Sequence, residues 1–393
     1  MTNKAYENQK RILSNSKKRI DKAGRDIRHG CDDELRNESI RIIQNFREVH
    51  LYPLMLIKNH LTRAVKRESK KAIVARRLKR LPTIIDKLER PTLDGKKDNA
   101  IKLTRMQDIG GCRAIVPNLN QLNNLHDRLN SSNSVHKIIK TDNYLTPKES
   151  GYGGIHLVYS CFDESEEENN WKKIKIEVQL RTELQHSWAT SLEIIDTLED
   201  VNLKTSLEGH ENLRRFFKVA GRLVAHKEKA CTIEKDELLE LKKELAVLEK
   251  ELEIRTKLLK YNIAIDITTN NSKIPRSLRS HQGMILVSIK KEDVKDDEEK
   301  VTITVTAKPF SPKETENAFT ELAEKEADNN VLIAVLVSAN DTRNLKKAYP
   351  NYFGSTGNFS GFLTEMIEKK KDKKKAKKKA KKKDKKKTKK KKK

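Results

Sequence analysis

The segment Lys173–Arg181 reads Lys-Ile-Lys-Ile-Glu-Val-Gln-Leu-Arg, and its strict alternation decides the local fold. Successive side chains of a β-strand point to opposite faces of a sheet, so a period of two predicts a strand here. One face would be apolar and would pack on a core. The other face would carry a lysine, a carboxylate, an amide and a guanidinium in register, namely Lys175, Glu177, Gln179 and Arg181. Solubility alone does not require that combination, so we expect a functional surface.

A helix is predicted directly after this strand. Thr182 and Gln185 have the spacing of a capping box, in which each side chain bonds the backbone N–H of the other residue. The apolar stripe of this helix would consist of Leu184, Trp188 and Ile195. Trp188 is interpreted as a core residue, whereas His186 could belong to the cap, the core or a site.

Working outward, the segment 76–90 is strongly basic. Pro82 and Thr83 can open a helix, which would place Thr83, Lys87 and Arg90 on one face. Arg77 and Lys79 lie just upstream. Cations that converge on a helix N-terminus suit a polyphosphate, because the free N–H groups and the helix dipole also favour anions. A basic helix alone is more often a solvated face.

Two further polar segments lie between these. Asp108 precedes two glycines and an apolar strand, so it could bind Mg²⁺ or simply form a turn. Residues 147–154 form a glycine-rich loop that presents Lys148 and Tyr152 and leads into a strand carrying His156. The tyrosine ring could stack on a nucleobase, or it could anchor the strand.

Taken in order over about residues 60–200, these segments closely resemble the RelA/SpoT synthetase domain. That family shows a basic Arg-x-Lys segment before a helix, then Asp-Ile-x-Gly-x-Arg, then a loop Pro-Lys-x-x-Gly-Tyr-x-x-x-His. A strand Glu-x-Gln-x-Arg-Thr follows, and His and Trp come next. Here the four motifs begin at Arg77, Asp108, Pro147 and Glu177.

The resemblance implies an α+β fold: a mixed β-sheet flanked by helices, related to nucleotidyltransferases. It implies transfer of pyrophosphate from ATP to the 3′-hydroxyl of GDP or GTP, giving (p)ppGpp. The residues implied to bind ATP are Arg77, Lys79, Lys87 and Arg113. Asp108 and Glu177 would be catalytic and would hold Mg²⁺. The acceptor would meet Lys148, Tyr152 and His156, supported by Gln179 and Arg181.

The sequence departs from the family pattern in the acceptor loop. Where the family usually has Gly-Tyr-Arg-Ser-Leu-His, Tyr152 is followed by Gly153 and Gly154, so an arginine near the acceptor is missing. Thr83 stands for the usual serine of the ATP-side helix. The roughly 75 polar residues ahead of this region are too few for an HD hydrolase domain, and His126-Asp127 is interpreted as helical surface. We therefore expect synthesis without hydrolysis.

Charge is concentrated at the C-terminus. Residues 369–393 contain twenty lysines and two aspartates, so they carry +18 of the net charge of +27. Such a Lys-rich tail, assigned to 367–393, is predicted to be disordered. It could be a solvated extension, or it could attract tRNA, other RNA or DNA in a salt-dependent way.

The remaining regions are predicted to be accessory. Residues 1–60 should be helical and should pack on the synthetase region, 61–200. A long coiled-coil-like helix is expected within 201–268, packed on its own protein or forming a homo-oligomer. Its seam, which Arg255 interrupts, is Leu238, Leu241, Leu245, Leu248, Leu252 and Leu259. Residues 280–366 should form a small α/β module with strands at 284–289, 301–307 and 331–338, a helix at 312–327 and an aromatic turn at 349–353.

A cytoplasmic protein is expected. Its apolar runs are too short to cross a bilayer, its N-terminus lacks a secretory signal, and its four scattered cysteines suit reduced thiols. Two other functions stay open. The chain could be a toxic synthetase that acts on tRNA 3′ ends or makes adenosine alarmones, or an inactive nucleic-acid-binding module.

Overall fold

The computed structural model describes residues 7, 9–89, 101–164, 170–199, 201, 209–269, 281, 283–293, 301–339 and 352–367. It divides into two compact units. The first comprises residues 1–148, 152–185 and 227–231, and the second comprises 149–151, 186–226 and 232–393. Among the described helices, none is long and apolar enough to span a membrane.

The first unit is built from helices and a five-stranded sheet. Its helices are α1 Lys17–His29, α2 Asp33–Val49, α3 Leu51–Glu68, α4 Leu81–Glu89 and α5 Leu119–Asn130. Its strands are β1 Ile73–Leu78, β2 Gly110–Val116, β3 Lys137–Asn143, β4 Ile155–Ser160 and β5 Lys175–Thr182. Helix α6, Glu183–Leu198, follows β5 directly, and its residues from His186 onward belong to the second unit.

The sheet has the order β1-β2-β5-β4-β3. Strands β2 and β5 are parallel, and every other neighbouring pair is antiparallel. The expected mixed sheet flanked by helices, and hence the α+β class, is confirmed.

One face of this sheet forms the core. The alternation in β5 behaves as predicted, because Ile174, Ile176, Val178 and Leu180 are buried. They pack in one cluster with apolar residues of α1 to α5, so the N-terminal helices share the core of the sheet as expected. Gly110 lies where β2 meets α3: a Cβ there would stand 2.5 Å from Cδ1 of the buried Ile176.

Local capping explains where several elements begin. The Ser16, Asp32 and Asn118 side chains accept backbone N–H groups at the starts of α1, α2 and α5. The predicted capping box is confirmed, since Thr182 and Gln185 exchange two 3.1 Å side-chain-to-backbone bonds. Trp188 is 3 % exposed, which confirms its core position.

The second unit contains a smaller antiparallel sheet of order β7-β6-β8. Its elements are α7 Glu211–Lys227, α8 Lys235–Leu252, α9 Ile254–Thr269, β6 Met284–Asp293, β7 Val301–Phe310, α10 Thr315–Ala327, β8 Val331–Ser338 and α11 Tyr352–Ile367. The sheet packs on α9 at one face, around Val287, and on α10 at the other, around Leu286. The predicted strands and the helix near 312–327 are thus present.

Two expectations for this unit were wrong in detail. The single long helix is divided at Glu253, whose φ of 52° is left-handed and ends α8. Beyond that break Ile254 and Leu258 are buried while Leu259 is 54 % exposed, so the predicted seam does not continue. Leu241, Leu245 and Leu248 are buried within the unit itself.

The aromatic turn is the second difference. Residues 349–351 lie outside the described residues, but Tyr352 and Phe353 begin the helix α11. This helix buries Phe359, Phe362 and Leu363, at helical spacing. The predicted disordered tail also lies outside the described residues. None of the four cysteines, all of them among the described residues, forms a disulfide.

Candidate active site

The polar face of the first sheet brings the predicted residues together. Residues paired across neighbouring strands share a face. Arg77 of β1 pairs with Gly111 of β2, and Gly111 pairs with Glu177 of β5. In the next row, Arg113 of β2, Gln179 of β5 and His156 of β4 are neighbours.

A carboxylate and two lysines form the first half of the site. Asp108 lies just before β2, Lys79 just after β1, and Lys87 on α4. Lys79 Nζ is 2.7 Å from Asp108 Oδ2, and Lys87 Nζ is 2.9 Å from Oδ1. Burial alone would raise the pKa of Asp108, but the hydrogen bonds and charges of the two lysines outweigh burial and hold this pKa below its ordinary value.

Glu177 is the second carboxylate. His156 Nδ1 lies 3.1 Å from its Oε1, and Gln179 Nε2 donates to its Oε2 at 2.8 Å. Burial raises the pKa of Glu177, as does the nearby negative charge of Asp108. The contacts with His156 and Gln179 outweigh both, so its pKa lies below the ordinary value. Both carboxylates are therefore ionised at neutral pH.

The two arginines differ in their surroundings. Arg77 is exposed on the edge strand β1. A Cβ at the intervening Gly111 would have only two neighbours, at 3.9 and 4.0 Å, so the glycine leaves the space between Arg77 and Glu177 open. Arg113 Nη2 lies 3.4 Å from Gln179 Oε1, which places it beside the second carboxylate.

The glycine-rich loop of residues 147–154 is held by backbone pairing. Tyr144 and Gly154 exchange two backbone hydrogen bonds, and the Lys148 N–H donates to Tyr152 O at 3.0 Å. Tyr152 Oη lies 2.5 Å from His156 Nε2. Arg181 is buried at 7 % exposure and donates to the same hydroxyl from Nε and Nη2. The loop tyrosine and the end of β5 thus form one polar cluster.

Sequence reasoning missed Tyr144. The Lys148 ammonium lies 3.8 Å from the centre of the Tyr144 ring, and this ring meets Tyr152 and His156 edge to face. An aromatic residue just after β3 and before the loop was the available signal. Tyr144 lies beside Tyr152 and His156 only because β3 pairs with β4, and no local sequence pattern specifies that pairing.

The two carboxylates fit a magnesium ion by their chemistry. Mg²⁺ in nucleotide enzymes is bound through one or two carboxylates, with phosphate oxygens and water completing its shell. Asp108 and Glu177 are ionised, partly exposed and close enough for one charge to act on the other. In the described part of the chain, no group of three or more His, Cys, Asp or Glu residues is placed to hold a metal ion.

Comparison with solved structures gives partial matches of low identity. Small alarmone synthetase 1 from Bacillus subtilis, bound to its product pppGpp, is 19 % identical; the match covers 45 % of this chain and 88 % of that one, with a TM-score of 0.36. Small alarmone synthetase 2 from the same organism is 21 % identical, covering 47 % and 94 %, with a TM-score of 0.38. A GTP pyrophosphokinase family protein from Streptococcus pneumoniae is 23 % identical, covering 47 % and 89 %, with a TM-score of 0.38.

No curated protein matches the chain significantly. A family profile does match: the region found in RelA / SpoT proteins aligns with residues 76–194. This segment begins within β1, continues past β5 and contains every predicted site residue. Over residues 76–194 the chain therefore carries a RelA/SpoT-family domain.

Proposed function

We propose that this site transfers the β,γ-pyrophosphate of ATP to the 3′-hydroxyl of GDP or GTP, giving (p)ppGpp and AMP. One observation carries the proposal. Two ionised carboxylates lie close enough to interact: Glu177 on the polar face of β5, beside His156, and Asp108 just before the neighbouring strand β2, beside two lysines. That arrangement matches a donor polyphosphate on one side and an acceptor nucleoside on the other.

The cationic group would hold ATP. Arg77, Lys79, Lys87 and Arg113 all lie on or beside β1 and β2. Arginine can bind phosphate with two parallel N–H bonds and lysine contributes a compact charge, so together they orient the triphosphate. The lysines now paired with Asp108 would turn to phosphate when ATP binds.

The aromatic group would hold the acceptor. Tyr152 offers a ring for the base, Lys148 a cation for the phosphates, and His156 a polar contact beside Glu177. Tyr144 adds a second ring, capped by Lys148. Base-on-aromatic stacking contributes about 1–3 kcal/mol per base.

The reaction is an in-line displacement at the β-phosphorus. A bond forms from the acceptor 3′-oxygen to this phosphorus, the bond to the α,β-bridging oxygen breaks, and AMP leaves with that oxygen. The 3′-hydroxyl proton passes to Glu177. A magnesium ion held by Asp108 and Glu177 would neutralise the charge that develops on the phosphates. The chain's own contribution is positioning and cationic charge.

The loop leaves a second acceptor class open. Gly153 and Gly154 supply no cation where the family usually has arginine, and Arg181 is buried and engaged with Tyr152. A less basic loop weakens the argument for a free guanine nucleotide. An adenine nucleotide or the 3′ end of tRNA is therefore the alternative, as in a toxic synthetase.

One experiment separates these possibilities. Purified protein is incubated with Mg²⁺ and ATP labelled at the γ-phosphorus, with GDP, GTP, ADP or deacylated tRNA in separate reactions. Label on GDP or GTP supports the main proposal, and label on ADP or tRNA supports the alternative. The Glu177→Gln protein is the control for each reaction. If no acceptor becomes labelled, the result supports the third function, an inactive nucleic-acid-binding module.

The lysine tail is proposed to attract RNA. For single strands, the logarithm of affinity falls with the logarithm of salt at a slope of about −0.7 per phosphate contacted. A binding titration at several salt concentrations, with and without residues 369–393, would measure this contribution. An unchanged slope after removal of the tail would contradict it.

A further inference from the structure

We propose that the Tyr152 hydroxyl is a positioning group: together with Arg181 it holds the His156 ring in the tautomer that donates a hydrogen bond to Glu177. The inference rests on the proposed function only for its kinetic consequence. Three contacts carry it. Arg181 Nε and Nη2 lie 3.1 and 2.9 Å from Tyr152 Oη, this oxygen lies 2.5 Å from His156 Nε2, and His156 Nδ1 lies 3.1 Å from Glu177 Oε1.

The directions of these hydrogen bonds follow from the groups themselves. A guanidinium can only donate, so the Tyr152 oxygen accepts both bonds from Arg181. The single phenolic proton is then directed to His156 Nε2, which must accept it. A neutral imidazole that accepts at Nε2 carries its proton at Nδ1. That proton points to the Glu177 carboxylate, which can only accept.

A second route connects the same arginine to the same carboxylate. Arg181 Nη2 donates to Gln179 Oε1 at 3.0 Å, and Gln179 Nε2 donates to Glu177 Oε2 at 2.8 Å. Each Glu177 oxygen therefore receives one donor, and both donors are oriented by Arg181. A carboxylate held at both oxygens has a defined orientation toward whatever it binds.

Gly154 makes this arrangement possible. Its φ of 141° lies in the region that favours glycine. A Cβ there would stand 3.0 Å from Leu180 O, 3.3 Å from Arg181 Cγ and 3.5 Å from Tyr152 Oη. A side chain at 154 would press on the Leu180 carbonyl oxygen and on Arg181 Cγ, and it would touch the Tyr152 hydroxyl. The glycine that departs from the family pattern thus lets Arg181 close on Tyr152.

The ring and the hydroxyl of Tyr152 consequently have separable roles. The guanidinium carbon of Arg181 lies 4.9 Å from the ring centre, and His156 meets the ring edge to face. Removing only the hydroxyl leaves the aromatic surface for an acceptor base in place. The same substitution breaks the series of hydrogen bonds, because it removes the oxygen that joins Arg181 to His156.

The test is the tautomer of His156 in the full-length Tyr152→Phe protein. Nitrogen-15 spectra of histidine-labelled protein distinguish Nδ1–H from Nε2–H, and a His156→Gln sample assigns the signal among the ten histidines. Wild type should show one Nδ1–H form, and Tyr152→Phe should show a mixture. In the transfer assay we expect kcat to fall about 10- to 100-fold, as for other groups that orient a ligand through a second residue, with the acceptor KM nearly unchanged.

Tyr52→Phe is the control, because its ring stacks with Phe162 elsewhere in the same unit. It should leave the His156 signal and the kinetics as in wild type. A single Nδ1–H form that persists in Tyr152→Phe would overturn the proposal. The spectra need no substrate, so they decide this even if the proposed transfer reaction is absent. If Tyr152→Phe does not fold, Arg181→Lys carries the same test, because it keeps the charge and loses the two-donor fork.

Discussion

The Lys79 ammonium group lies 2.7 Å from Oδ2 of Asp108, so a residue assigned to ATP neutralises the carboxylate assigned to the metal. Lys87 contacts the other oxygen of the same carboxylate. Under the proposed function, binding of a metal–ATP complex would exchange these contacts: phosphate would take the lysines and the cation would take the carboxylate. Each charged group would then keep a partner of opposite charge.

Asp108→Asn should remove most of the transfer activity and leave the protein folded. The amide keeps the size of the side chain but cannot neutralise Lys79 and Lys87 or bind a cation strongly. We expect a loss of roughly 100- to 1,000-fold in kcat, as for other groups that stabilise transition-state charge. Asp86→Asn, an exposed change on α4 next to Lys87, is the matched control. Equal rates in Asp108→Asn and wild type would remove Asp108 from the active site.

Glu228 should make stability depend on pH. Burial raises its pKa to about 7, against which a hydrogen bond with Thr182 acts more weakly. At a pH below the pKa that Glu228 has in the unfolded chain, this residue is protonated in both the folded and the unfolded state. Its stabilising contribution to the free energy of unfolding is then complete. As pH rises toward 7 the unfolded chain loses its proton first, so the free energy of unfolding falls.

Glu228→Gln removes this proton difference. Its urea midpoint relative to wild type should therefore rise between pH 5 and pH 8. Glu183→Gln, an exposed change in the first turn of α6, is the control and should show no such trend. A difference between Glu228→Gln and wild type that is constant with pH would show that Glu228 titrates normally.

Much of the site could be predicted because its residues repeat a local pattern. The alternation in β5 separates Ile176 and Val178 from Glu177 and Gln179 whatever the strand pairs with. The partners of β5 could not be predicted in this way. Pairing parallel to β2 and antiparallel to β4 depends on contacts far apart in sequence, and it alone places His156 beside Gln179.

The features that were missed have the same origin. Helix α8 ends at Glu253, just before Arg255 interrupts the predicted seam, and beyond that point Ile254 and Leu258 are buried instead of Leu259. Helix α11 contains Gly354, Gly357 and Gly361, which weaken its helical signal. Tertiary packing decides both cases, and it cannot be predicted from the local sequence.

Gly221 should tolerate no side chain. A Cβ on this residue of α7 would stand 2.0 Å from Gly151 O and 2.6 Å from Gly151 C and Cα, all of them backbone atoms. Gly221→Ala must displace that backbone, and we expect a loss of about 1–3 kcal/mol in the free energy of unfolding, the range of overpacked sites. Urea unfolding measures it.

Gly357→Ala is the contrasting substitution in α11. No atom lies within 4 Å of a Cβ at this exposed position. Alanine there should raise stability by about 0.5–1 kcal/mol, because it reduces the entropy of the unfolded chain. Equal effects at the two glycines would contradict the close approach of α7 to Gly151.

Substitutions at Arg77 and Arg76 test whether ATP contacts the polar face of the sheet or is only attracted by positive charge. They are adjacent and exposed on β1, but they point to opposite faces: Arg77 pairs with Gly111 in the row of Glu177, and Arg76 pairs with the buried Cys112. Arg77→Ala should raise the KM for ATP and lower kcat/KM about 10- to 100-fold, which corresponds to one lost charged hydrogen bond or a bidentate pair. Arg76→Ala should change kcat/KM less than about twofold, because an exposed charge outside the site acts only through salt-screened attraction.

Equal losses of kcat/KM in the two variants that vanish at high salt would mean that β1 only attracts ATP at long range. Loss in Arg77→Ala alone, persisting at high salt, is the result expected for direct contact with the triphosphate.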